Sequence, residues 1–201
     1  MDRFKFLLIT TIILLIVSGC SGKNNRDAEA EKNESSAAED YNLSETEQDD
    51  ILAFCQEADT LYYNALYGLY PCDFESNLQN SLNEYKIKTL NMEIEARKKV
   101  KLATATLSME YSVLDSYNLE DDVYFIRIAA TRFLSYGGEM QSTAKFLVKN
   151  ENGVLKIVDW FDERIDSIDI AVMGEDRELS APDVWEDGEW VKQINSKLDS
   201  W

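Results

Sequence analysis

Two spacings of apolar residues organise this chain. From Ile51 to Leu69 they recur every three or four positions, at Ile51, Cys55, Ala58, Leu61, Tyr62, Ala65, Leu66 and Leu69. That is the buried stripe of a helix. Ser44-Glu45-Thr46-Glu47 forms a capping box at its start, and Gly68 and Pro71 end it. A second box, Ser76-Asn77-Leu78-Gln79, predicts another helix with Leu78, Leu82, Tyr85, Ile87, Leu90 and Ile94 inward. Its last turn carries Arg97, Lys98 and Lys99, the charge that suits the carbonyl end of a helix dipole. The period then falls to two. Ala105, Leu107, Met109, Tyr111 and Val113 alternate with polar residues, as in a half-buried strand. Ser116 to Asp122 reads as a polar loop, and Val123 to Ser135 as a second strand. Gly137-Gly138 and Asn152-Gly153 are hairpin turns of the kind that needs positive φ. Between them Met140 to Lys149 alternates, with Met140, Ala144, Phe146 and Val148 on one side, and Val154 to Phe161 is the last strand. Helices followed by hairpin-linked antiparallel strands predict an α+β domain with helices on one face of a four-stranded sheet. Beyond Phe161 the pattern is irregular until a short helix after Pro182-Asp183, with Trp190, Val191, Ile194, Leu198 and Trp201. Trp185, Trp190 and Trp201 are expected to pack back on the domain.

The first twenty residues follow neither period. Arg3 and Lys5 precede an apolar run, Phe6 to Val17, and then Ser18-Gly19-Cys20. A short basic start, a core too short to span a bilayer comfortably and a small-residue cleavage site make a secretory signal. With Cys20 in register, the segment resembles the lipobox of bacterial lipoproteins. That resemblance implies a diacylglycerol on the Cys20 thiol, whose two acyl chains make anchoring durable, and a protein held at the cell membrane outside the cytoplasm. Gram-positive and Gram-negative hosts both fit. Ser21 to Asn42 has no large apolar side chain except Tyr41 and reads as a flexible leash. As a coil it would span about 25 Å. The expected organisation is a signal over residues 1–19, lipidated cysteine and linker over 20–42, the α+β domain over 43–169, and a C-terminal extension over 170–201.

Charge and composition then remove whole classes of function. The formal charge is −18, and loss of residues 1–19 (Arg3, Lys5 and Asp2, a net +1) leaves about −19. Such a field repels phosphate backbones and anionic headgroups, so nucleic acid is not an expected partner. The chain has no histidine, which excludes Ser-His-Asp and Cys-His catalysis, His-based zinc sites and a histidine base. No cofactor is implied. Cys55 and Cys72 are not expected to pair. With Ser44 to Leu69 helical, Cys55 lies about 21 Å along the axis from Leu69, and three more residues cannot bring Cys72 back.

Two stretches carry a family likeness. Asn83-Glu84-Tyr85-Lys86-Ile87-Lys88 and Gly153-Val154-Leu155-Lys156-Ile157-Val158-Asp159-Trp160-Phe161-Asp162 are similar to the domain preceding the amidase module in secreted proteins of Gram-positive bacteria. Leu155 stands where that family has Trp. The order of elements also resembles the NTF2-like (cystatin-like) cone. The resemblance implies a fold and a surface location. The amidase module itself is missing, so no activity comes with it.

If the cone holds a pocket, Glu110, Tyr111, Arg127 and Arg132 are the candidates for its mouth. Arg127 and Arg132 are five residues apart, so on a regular strand only one can point inward. Tyr63, Tyr67 and Tyr70 follow a second line on the first helix, suited either to an interface or to covering the sheet or C-terminal helix. Asp159, Asp162, Glu163, Asp166 and Asp169 form the densest acidic run. It lacks calcium-loop spacing, no metal is assigned to it, and it reads as a solvated acidic edge. The function expected is binding of an unidentified envelope or extracellular protein, without catalysis. The alternative is a small-ligand pocket or an enzyme using carboxylates and Tyr.

Overall fold

The computed structural model describes residues 44–101 and 104–201. Cys20, the signal and the linker lie outside the described residues. The described residues fall within one compact unit, so the C-terminal extension belongs to the same body as the helices and sheet.

Helix α1 spans Glu45–Gly68, capped by Ser44 in a complete capping box with Glu47. Gly68 earns its place by contact rather than by φ. A Cβ there would meet the ring of Tyr70, which folds over the helix end. Leu69 then takes the left-handed conformation that terminates the helix. Helix α2 is Asn80–Lys99, later than the Ser76 box predicts. The Ser76 hydroxyl donates to Asn77 instead, Leu78 bridges in parallel to Ile157, and Gln79 caps the helix by accepting from the Leu82 amide. Tertiary pairing with the last strand claims the residues that would have formed the first turn.

The sheet is antiparallel, in the order β1 (Thr106–Glu120), β2 (Val123–Leu134), β3 (Glu139–Glu151), β4 (Val154–Asp162). β1 runs through Ser116 to Glu120, which the sequence reads as loop. Its polar residues pair with β2 as far as Glu120 opposite Val123. Three register shifts interrupt that pairing and leave Leu107, Leu114 and Leu119 without a partner. Leu107 is consequently 69% exposed rather than inward. Asn152 and Gly153 both have positive φ, as a two-residue hairpin turn requires, whereas in the other hairpin only Gly137 does.

Both faces of the sheet are covered. One packs on α1 and α2 through Ile126, Ile128, Phe146, Val148, Ile157 and Trp160. The other carries a second core of Phe125, Leu147, Val158 and Phe161, sealed by Leu179. The chain reaches that face through α3 (Ile168–Met173), an element within the stretch that reads as irregular, capped by Ser167. A 3₁₀ turn at Val184–Glu186 and α4 (Gly188–Asp199) complete the fold. Trp185 is buried and Trp190 meets it edge-on at 4.8 Å, but Trp201 stays 66% exposed, two residues beyond the end of α4.

Candidate functional site

The centre of the space between helices and sheet is filled by the protein's own side chains. Trp160 is the centre. Phe146 stacks on it at 5.2 Å, Tyr62 and Phe74 meet it edge-on at 5.5 and 6.1 Å, and Lys86 Nζ sits 4.6 Å from its ring. Such contacts add to the area these rings bury.

Around this aromatic centre runs a chain of buried ion pairs. Arg132, on the inward face of β2, pairs with Asp59 of α1, and both are almost fully buried. Its guanidinium lies 3.4 Å from the ring centroid of Tyr63, whose hydroxyl donates to Asp162 at 2.8 Å. Arg164 bonds the same carboxylate at 2.9 Å and reaches Glu93 of α2 at 3.3 Å. Lys86 pairs with Asp169 at 2.6 Å, joined by the Tyr85 hydroxyl and the Asp162 amide. Asp159 accepts from Arg177 at 2.6 Å, from the Trp185 indole at 2.8 Å and from the Trp160 amide. Apart from Asp166, which is exposed, the acidic run is therefore no solvated edge. Asp159, Asp162 and Asp169 are buried counter-ions, and Glu163 is shared by Arg127 and Lys145. The cations come from α2 (Lys86), β2 (Arg127), β3 (Lys145), the run itself (Arg164) and the C-terminal segment (Arg177), brought together by the fold. No three potential metal-ligating groups converge among the described residues.

The pocket candidates separate accordingly. Tyr111 donates to Asp59 at 3.0 Å and touches Thr60, so it closes the Arg132 pair from β1. Arg127 lies on the opposite face of β2, bonded to Glu163 at 2.7 Å. Glu110 pairs across to Thr131 on that same far face and is exposed, since neighbouring strand residues point to opposite sides. Tyr63 and Tyr67 are buried and cover the sheet, Tyr67 through a contact with Met140 and with Arg97 stacked 4.8 Å above its ring. Tyr70 alone of the three is open, at 47% exposure. Cys55 is buried and Cys72 half-buried, both as free thiols.

Burial pushes the carboxyls of Asp59, Glu93 and Asp159 above their ordinary range, against the downward pull of Arg132, Arg164 and Arg177. A carboxyl raised in the folded state favours folding fully below its unfolded value of about 4 and loses that contribution as pH rises through the raised value. Relief of self-repulsion in a chain of charge −18 has the same sign. The melting temperature is thus expected to be higher at pH 5 than at pH 8. A calorimetric scan showing the reverse would mean the arginines outweigh burial.

No family model matches the chain, and no curated protein matches it. Among solved structures, a domain of unknown function with a cystatin-like fold from Nostoc punctiforme aligns at 14% identity and a TM-score of 0.40, over 79% of this chain and 100% of that one. The intermembrane space region of the chloroplast protein ARC6 aligns at 11% identity and a TM-score of 0.29, over 60% and 97%. Neither likeness carries a functional argument.

Proposed function

We propose that the chain is a lipoprotein held outside the cytoplasm by a diacylglycerol on Cys20, and that its single domain binds a protein or envelope partner through its surface without chemistry. The sequence resemblance to the domain preceding amidase modules supports the same reading, because the proteins that carry that domain are secreted. The observation that carries the reading is the filled cone. Trp160, Phe146, Tyr62 and Phe74 fill the centre between helices and sheet, and Asp59, Tyr111 and Arg132 are engaged with one another. Groups already engaged in this way would have to be unpaired before they could act on a substrate, at the cost of breaking buried ion pairs. The outer surface is what remains to act with.

Metabolic labelling with palmitate tests the anchor. Label is expected in the wild-type protein and not in Cys20→Ala, which should leave the membrane fraction. Label retained in Cys20→Ala would remove the anchor from the reading. Photo-crosslinking on intact cells tests the partner. A discrete adduct is expected, and efficient crosslinking that yields none would end the binding reading.

A further inference from the structure

Helix α1 buries one stripe and leaves a second face open beside the ends of the sheet. Along that face Glu47, Asp50 and Glu57 are exposed, spread over ten residues or about 15 Å of helix. Between this face and the strands lies a groove of about 550 Å³ with Phe54, Tyr124 and Leu155 in its wall. All three apolar side chains are only half-buried. The rim carboxylates enter none of the ion pairs among the described residues, although most cations of the fold have found a carboxylate. Glu47 and Tyr124 line the same groove.

The geometry points to a cationic amphipathic peptide helix as the occupant of this groove, a reading that rests on the partner-binding function proposed above. An apolar wall bounded by acids matches a helix with apolar residues at i, i+3, i+4 and i+7 and Lys or Arg on its flanks. The 15 Å rim corresponds to about three turns, or eleven residues, of such a helix. The net charge of −18 steers cations toward it. The same charge opposes an anionic membrane or a second copy. A bare metal ion does not fit, because Glu57 stands two helical turns beyond Asp50 and hard cations need their oxygens gathered at one point.

The test uses residues 21–201, which retain every core residue described and omit the lipid that would itself absorb such a peptide. The probe is a blocked 14-residue Lys/Leu peptide with Leu at that spacing, and its counterpart with Glu for Lys. Calorimetric titration at 50 mM salt is expected to give micromolar binding of the Lys peptide and none of the Glu peptide. Glu47→Gln/Asp50→Asn/Glu57→Gln together should weaken binding at least tenfold, and Phe54→Ala at least fivefold. Glu47→Gln keeps the capping-box pairing, so the fold survives. Neutralising Glu175, Glu178 and Glu186, exposed acids outside the groove, changes net charge equally and should leave affinity within twofold. Equal loss from both triple variants, or none from Phe54→Ala, would reduce the effect to bulk charge and overturn the proposal. Absence of binding would overturn it too. So would a dimer in sedimentation that the groove variant abolishes, since the occupant would then be a second copy. Crosslinking on cells reads the partner hypothesis independently. An adduct there without peptide binding here refutes the groove and leaves the broader reading intact.

Discussion

Arg132→Met is expected to destabilise the domain by about 3–5 kcal/mol in urea unfolding followed by tryptophan fluorescence, far more than an arginine at the surface would. The substitution removes the guanidinium from Asp59 and from the face of Tyr63, and leaves a carboxylate with 2% of its surface exposed. Asp59→Leu alone is expected to cost a similar amount for the converse reason. The double variant Asp59→Leu/Arg132→Met should then lie within about 1–2 kcal/mol of wild type, because a well-packed apolar pair costs little relative to the ion pair it replaces. A double variant whose loss equals the sum of the singles would show that the two groups act independently and that their contact adds nothing. Tyr111, which loses its acceptor in either Asp59 variant, is the neighbour through which strict additivity is most easily disturbed.

Asp159→Ala is expected to be as costly in stability, about 3–5 kcal/mol, and different in kind. This carboxylate is where the C-terminal segment is fastened to the sheet. It holds Arg177, and it holds the buried indole of Trp185. Removing it strands a cation that is only 10% exposed and unties the segment that presents Ile194 and Leu198 to the core. Hydrogen exchange should therefore show loss of protection concentrated in α3 and α4, with β2 and β3 nearly unchanged. Uniform loss over the whole domain would mean that the segment and the sheet unfold as one unit. Asp159→Asn retains an acceptor for Trp185 and is expected to fall between the two.

The interior shows how far pattern can be read and where it stops. The stripe on α1 and the alternation on β3 were legible because each is set by one local period and one buried face. The argument that Arg127 and Arg132 cannot both point inward also needed only the pleat. The fate of the acidic run was not legible. Asp159, Asp162 and Asp169 look like solvent-facing charge in one dimension, since their partners Arg177, Arg164 and Lys86 lie up to 83 residues away or follow no fixed spacing. The tyrosine line was half legible. Its spacing marked a second buried surface on α1, but whether that surface met a partner or the chain itself depended on β2 and β4 arriving there.

Bulges mark the same boundary most sharply. On a regular strand Ile157 and Trp160 would point to opposite faces. A register shift leaves Val158 unpaired, so that Ile157 faces Val148 and Trp160 faces Phe146 on the same side. Leu107, Leu114 and Leu119 mark the corresponding shifts in β1. By itself, then, the sequence determined α1, the four strands and their order, the α+β class and the sign of the charge, because backbone propensity and local periodicity act within a few residues, whereas α3, the start of α2 and the run of β1 to Glu120 were not legible. The tertiary structure alone decided which carboxylates are buried, which aromatic rings fill the cone and which face of α1 is left open. Those outcomes depend on register shifts of a single residue and on contacts between segments far apart in the chain, and no local pattern encodes either.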